Sequence, residues 1–234
     1  MWILAQYEMV GLFSLKASTA TGSGAKSLLV PTPYALKMAL LDAACRTLGA
    51  GRAEQLWPGF RDAGVAVDPP RQAIVTNLFA KVLKPRRSPA EEGSADVGPF
   101  GRTIAFREYV QHMGPLGVAL QVDESQAAAV AGLLLQINYL GRRGGMVQLL
   151  DVPCCTDDLP EAYLIVGELQ REFSYEGVLQ VLDDCGPTLS FQRANIYSGE
   201  RVSVGKERLL RHVVLPYRMV RSSKSFTLYE RTGN

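Results

Sequence analysis

The chain has 234 residues, 47% of them hydrophobic and 21% charged, with a formal net charge of +2. That length makes one to two domains with a sizeable core, and the composition excludes a disordered chain, a collagen and a small disulfide scaffold. No apolar run reaches the roughly 18–20 residues of a membrane span, and Met1–Leu15, interrupted by Gln6, Glu8 and Gly11, does not read as a signal peptide. The cysteines are Cys45, Cys154, Cys155 and Cys185, with no C-x-x-C pair and only two histidines. A structural zinc site is therefore not expected, and free thiols in a reducing cytoplasm fit best.

In chain order, Met1–Leu15 is rich in strand formers and predicts a long first strand. Residues 17–27 are small and polar and predict a flexible loop. Thr32 then caps a helix that has Pro33 at its first position and runs to Leu48, where Gly49 and Gly51 end it. A short helix is expected over Ala53–Arg61. Ala73–Leu83 and Thr103–Val110 read as strands. Between them lies Lys84–Arg102, polar and broken by prolines and glycines, and a connection of this length inside a compact domain is either functional or a disordered insertion without function. Pro115–Val122 reads as a further strand or a continuation of the last. Asp123–Ile137 is a second major helix, capped by Asp123 or Ser125, and Met146–Val152 is a strand.

The order strand, helix, strand, strand, helix, strand predicts an α+β fold. It is a ferredoxin-like (RRM-like) β-α-β-β-α-β domain over residues 1–152, with an insertion at 84–102. Residues 153–234 read as a smaller, mostly β region that begins with a linker, Pro153–Pro160, and a strand at Ala162–Val166.

Charge is segregated. Asp151–Asp184 holds nine acids against Arg171, a net −8. Arg193–Asn234 holds nine bases against three acids, +6, and Arg71–Tyr109 holds seven bases against four acids, +3. Each run is either a solvated face or, for the two basic ones, part of an anion-binding track assembled in space.

Three stretches carry candidate chemistry. Gly22–Ser27 ends in Lys-Ser as a P-loop does, but Ala25 and Ala20 stand where that motif needs glycine, so a nucleotide-binding loop is rejected. Lys16 and Lys26 in this region can still touch phosphates. Asn138-Tyr139-Leu140-Gly141-Arg142-Arg143-Gly144-Gly145 combines backbone freedom, charge and a stacking ring, and so suits a sugar-phosphate chain. It reads equally as a helix cap with Gly141 left-handed, followed by a surface turn. The insertion and its base carry Lys84, Arg86, Arg87, Arg102 and Arg107, which could lie along a nucleic-acid backbone. Enzymatic constellations are poor. His112 and His212 have no partner at fixed spacing, and with Tyr217 they are the weak candidates for metal-free RNA cleavage. The acids after Cys154-Cys155 disfavour a reactive thiolate. No cofactor and no metal are expected.

The arrangement resembles the RAMP superfamily of CRISPR-associated proteins, and within it the fifth numbered Cas family. Three features carry the resemblance: a first strand ending in Phe13-Ser14-Leu15 followed by the proline-led helix entry Pro31-Thr32-Pro33-Tyr34; the long insertion between middle strands; and the glycine-rich loop Asn138–Gly145 before the last strand. Their order over residues 1–152 is more specific than any one of them.

The resemblance implies a non-catalytic, cytoplasmic RNA-binding subunit of a type I Cascade interference complex, one that caps the crRNA 5′ handle. It implies that Lys84, Arg86, Arg87, Arg102 and Arg107 belong to a thumb touching the backbone subunit. Arg142, Arg143 and their glycines would fall on the handle-binding loop. The large subunit, and target DNA through the complex, complete the implied partners. One branch of the family cuts precursor crRNA with Tyr plus an adjacent Lys-His. Here Gln111 precedes His112 and Arg211 precedes His212, a departure from that pattern. A metal-independent endoribonuclease is the alternative reading, and a ferredoxin-like interaction module without RNA is the third.

Overall fold

The computed structural model describes residues 1–18, 20, 24–88, 90, 92–94, 97–142, 144–168, 176–195 and 198–233. Its elements in chain order are β1 (Trp2–Met9), β2 (Gly24–Ala25), α1 (Pro33–Leu48), α2 (Ala50–Asp62), β3 (Gly64–Asp68), β4 (Gln72–Pro85), β5 (Phe100–Met113), β6 (Leu116–Gln121) and α3 (Glu124–Leu134). There follow β7 (Val147–Leu149), β8 (Cys154–Thr156), β9 (Leu164–Ile165), β10 (Val178–Cys185), α4 (Phe191–Ala194), β11 (Arg208–Leu215), β12 (Tyr217–Ser222) and β13 (Phe226–Arg231). The fold is α+β. None of the described helices is long and apolar enough to cross a membrane.

The first sheet has the order β7-β1-β6-β3-β9, every neighbour antiparallel, and β8 joins β1 on the same edge as β7. β1 shows why it sits in the middle. Ile3, Ala5 and Tyr7 alternate onto the helix-covered face and are almost fully buried, while Gln6 and Glu8 face out. Trp2 on the opposite face packs with Ala66, Ala119 and Tyr163. The Tyr7 hydroxyl donates to the Leu134 carbonyl at 2.8 Å, adding a shorter bond to the one this carbonyl accepts from the Ile137 N–H at 3.3 Å at the end of α3. Helix α1 begins as the sequence requires: the Thr32 hydroxyl accepts from the Ala35 N–H at 3.1 Å and Pro33 follows the cap. Gly49, at φ +82°, separates it from α2. Its buried stripe, Leu36, Leu40, Ala43 and Ala44, belongs to one core with Ile3 and Tyr7 of β1, and truncating Leu40 to alanine is expected to cost about 2–5 kcal/mol.

The second sheet has the order β12-β13-β4-β5-β2. β4 and β5 form one hairpin whose register runs unbroken from Gln72↔Met113 to Pro85↔Phe100. Residues after 152 join both sheets: β8 and β9 extend the first, β12 and β13 the second, and β10–β11 form a separate ribbon. One core runs from Ile3 through to Tyr217.

Several expectations need correction. The first strand ends at Met9 rather than Leu15, because the chain turns at Val10–Gly11 and Phe13 bridges to Val110 in the second sheet. The second and third strands of the first sheet are β3 and β6, not Ala73–Leu83 and Thr103–Val110. Those two segments are instead the arms of the excursion, so the insertion between β3 and β6 spans the whole β4–β5 hairpin and Lys84–Arg102 is only its tip. β3 escapes sequence reading because it is five residues long and carries no polar alternation: Val65, Ala66 and Val67 are all buried. The short helix expected at Ala53–Arg61 spans Ala50–Asp62 and tolerates Pro58 inside it. Asp123 occupies the cap position of α3 but its side chain makes no cap bond.

Candidate functional site

Where the two sheets approach, the segment after Phe13 and the segment around β2 are stitched to β5. The Ser14 hydroxyl donates to the Glu108 carbonyl at 2.8 Å, and the Ser27 N–H donates to the Glu108 carboxylate at 2.7 Å. The Leu15 N–H donates to the Ser27 hydroxyl at 3.1 Å, and Lys16 bridges Ser27. Gly24–Ala25 runs parallel to Phe106–Arg107. Leu29 fixes the far end of this segment: its N–H donates to Gln180 at 2.9 Å and its carbonyl accepts from His112 Nε2 at 2.7 Å.

These contacts enclose a cleft of about 310 Å³ lined by Lys16, Lys26, Arg107, Arg142 and Arg208, with Ser14, Ser27 and Phe106 among its walls. Charges of one sign gathered in a cleft with low-dielectric walls focus the field onto an incoming anion. Arg142 lies over the Tyr109 ring, 5.7 Å from its centre, so its guanidinium is steadied while its donors stay available. Arg208 lies over the Tyr34 ring at 4.3 Å and is paired with Asp183.

The turn that carries Arg142 is narrow. Leu140 N–H donates to the Gly145 carbonyl and Gly145 N–H to the Arg142 carbonyl, both at 2.8 Å, and Tyr139 bridges Met146. Gly141 is left-handed at φ +78°, as expected, but it does not cap a helix, since α3 has already ended at Leu134. Asn138, Tyr139 and Gly144 belong to this turn without lining the cleft. Arg143 lies outside the described residues.

Of the other cations read from sequence, Lys84, Arg86, Arg87 and Arg102 stand on the distal hairpin. Arg102 is about 17 Å from Arg107 along β5 at ~3.4 Å per residue. Here Arg86 Nε donates to the Phe100 carbonyl at 3.3 Å, folding one cation back on its own arm. Around these cations the arm is apolar and open to solvent: Phe79, Leu83, Phe100 and Ile104 are all more than half exposed. Leu83, Phe100, Arg102 and Ile104 lie on one face with Phe79.

The three weak catalytic candidates do not meet. The contact of His112 Nε2 with a carbonyl places the proton there, and its Nδ1 is buried without a partner. Burial pulls the His112 pKa down to about 4. Tyr217 is buried, its hydroxyl donates to the Pro70 carbonyl at 2.6 Å, and burial pushes its pKa well up. His212 is exposed on β11 opposite Val181. None of the three lines the cleft. All four cysteines are free; Cys154 and Cys155 are exposed on β8, while Cys185 is buried with its thiol pushed up to about 12 by desolvation.

Arg208 is the cleft cation that the sequence did not single out. It counted only as one of the many bases after Arg193, with no motif around it.

No family model matches the chain. It is 24% identical over 233 residues to a CRISPR-associated protein Cas5 of Archaeoglobus fulgidus, with 98% of each chain covered. Among solved structures, a CRISPR protein from Archaeoglobus fulgidus aligns over 99% of this chain and 92% of that one, at 16% identity and a TM-score of 0.46. A chain of a CRISPR RNA-guided surveillance complex aligns over 92% of this chain and 90% of that one, at 15% identity and a TM-score of 0.49.

Proposed function

For a chain whose resemblance to the Cas5 family runs along its whole length, we propose the role of a non-catalytic RNA-binding subunit in a type I CRISPR Cascade complex, holding the crRNA 5′ handle. The observation that carries this reading is the cleft itself: Lys16, Lys26, Arg107 and Arg142, distant in sequence, face one space of about one nucleotide's size. Backbone phosphates and splayed bases of a single strand are the ligand class such a space suits. Tyr139, Asn138 and the glycines of the neighbouring turn offer further contact, and Arg143 is assigned there by sequence.

The first sheet, with β6 lying between β1 and β3 and β7 on the far side of β1, is read here as the ferredoxin-like core. The β4–β5 hairpin is read as the thumb. Its exposed apolar face, interleaved with Lys81 and Arg102, suits a protein partner, assigned as the neighbouring backbone subunit. The large subunit and target DNA would meet this chain only in the assembly.

Binding without cutting is favoured by the placement of His112 and Tyr217, both buried and hydrogen-bonded away from the cleft. The test is co-expression of the tagged protein with the products of its neighbouring genes, followed by sequencing of the RNA that co-purifies. Short RNAs sharing one repeat-derived 5′ end, in a large complex, are the expected result. Recovery of the protein alone and free of RNA overturns the proposal.

A further inference from the structure

Every cation of the cleft that sequence singled out comes from residues 1–152. The remaining wall comes from the C-terminal ribbon. Arg208 opens β11 opposite Cys185 at the end of β10, and Asp183 lies one diagonal step away on the same face of the ribbon. The Asp183 side chain is only 4% exposed, that of Arg208 30%. Arg208 Nε donates to the Asp183 carboxylate, and the guanidinium plane stands 4.3 Å from the centre of the Tyr34 ring, at the first turn of α1. A buried acid at the Nε edge and an aromatic face leave a guanidinium few rotamers.

A guanidinium carries five N–H donors in a fixed fork. The bond to Asp183 engages one of them, and the fork that remains matches a pair of phosphate oxygens. An exposed arginine must lose side-chain freedom when it grips a ligand. Arg208 has already lost much of it, whereas Arg107 in the same cleft is exposed on the surface.

Resting on the reading of the cleft as an RNA site, we propose that Arg208 is a phosphate-binding residue of that site, with Asp183 and Tyr34 as the positioning residues that hold its guanidinium ready. The C-terminal ribbon is then part of the binding surface and not only a buttress for α1. The rival account is that Arg208 merely neutralises the buried Asp183.

The experiment measures binding of the full chain to a fluorescein-labelled twelve-nucleotide oligouridylate by anisotropy, between 25 and 200 mM KCl. Thermal melting of each variant runs alongside. Arg208→Ala is expected to weaken binding about tenfold and to lower the slope of log K against log salt by ~0.7, one phosphate contact on a single strand. Arg208→Lys keeps the charge but not the fork, and is expected to keep the slope and lose several-fold in affinity. The deciding variant is Arg208→Ala combined with Asp183→Asn, which removes the buried charge together with its partner. Restored melting with binding still about tenfold weak supports the proposal. Restored melting with restored binding overturns it in favour of the neutralising role. Wild-type affinity and slope in Arg208→Ala, beside a wild-type chain that binds, overturn this inference alone. A wild-type chain that does not bind the probe at all overturns it together with the RNA reading of the cleft.

Discussion

The cations of the cleft arrive from five separate stretches of chain, whereas those of the hairpin arm all arrive from one. In the cleft, Lys16, Lys26, Arg107, Arg142 and Arg208 are held by backbone bridges, a carboxylate that ties Ser27 to β5, and two aromatic rings. On the arm, Lys84 and Arg102 share a two-stranded ladder with exposed Leu83 and Ile104, beyond the point where β13 and β2 support it, and Arg86 and Arg87 follow at its tip. Charge concentrated in a walled space acts on one anion, while charge strung along an apolar ribbon acts on an extended surface. The two regions are therefore expected to fail differently.

The sharpest break is in the cleft. Replacing Arg107 and Arg142 together by alanine is expected to weaken RNA binding at least about a hundredfold, from ~1.5 kcal/mol or more for each charge-assisted contact. The log–log salt slope should fall by about 1.4, two single-strand phosphates. Both residues are exposed, so melting should move little. An unchanged slope in a salt series would remove them from the binding surface.

The converse variant, Leu83→Ser with Ile104→Ser, changes only the arm. RNA affinity of the isolated chain should stay within about twofold and stability within ~0.5 kcal/mol, since both side chains are more than 60% exposed. Assembly should be lost: the neighbouring subunits should fall away in a tagged pull-down. Wild-type stoichiometry there would leave the apolar face of the arm without its assigned partner.

The sequence was legible where a residue acts locally. Thr32 and Pro33 start α1, Gly49 ends it, and Gly141 takes the left-handed turn. The strand-helix order was legible too, but not which strands fill it. A solvent-facing hairpin keeps the alternation and β-branched content of a core strand, so β4 and β5 attracted the assignment that belongs to β3 and β6. Most of the cleft's cations could be named singly, because basic residues near glycines and loops are visible in one dimension. Their convergence could not be, since it depends on Phe13 crossing to Val110 and on β2 lying beside β5. Arg208 was invisible for the same reason: its partners Asp183 and Tyr34 are far away in the chain.

The anchoring behind the cleft offers a pH test. His112 holds Leu29, at the far end of the segment that carries Lys26, and its ring stacks on Phe13 at 5.5 Å. With its pKa lowered from 6.5 to about 4, the folded state favours the neutral ring. The sign follows: this stability is present above the ordinary histidine value and is lost as pH falls through the range from 6.5 to 4. Between pH 7 and pH 5 the loss from this group is about 2 kcal/mol. Urea unfolding of wild type and His112→Phe at both values isolates it. The variant is expected to be less stable at pH 7, having lost the Leu29 bond, yet to change less between the two. Equal pH responses would show that His112 is not the titrating anchor.

The finest comparison sits inside one turn. A Cβ on Gly145 would stand 2.5 Å from the Leu140 carbonyl oxygen, a backbone atom that yields only if the turn closed by the Leu140 N–H bond to the Gly145 carbonyl shifts with it. A Cβ on Gly144 would meet only the tip of Arg142, at 3.4 Å, and that flexible end can yield. Gly145→Ala is therefore expected to cost about 1 kcal/mol of stability, the net worth of that hydrogen bond. It should also displace Arg142 enough to lower RNA affinity several-fold. Gly144→Ala should leave stability unchanged and affinity within about twofold, because the turn that aims Arg142 is untouched. If the two alanines behaved alike in melting and in anisotropy, the geometry of the turn would not be what delivers Arg142 to the cleft, and the glycines there would serve direct approach of the ligand backbone instead.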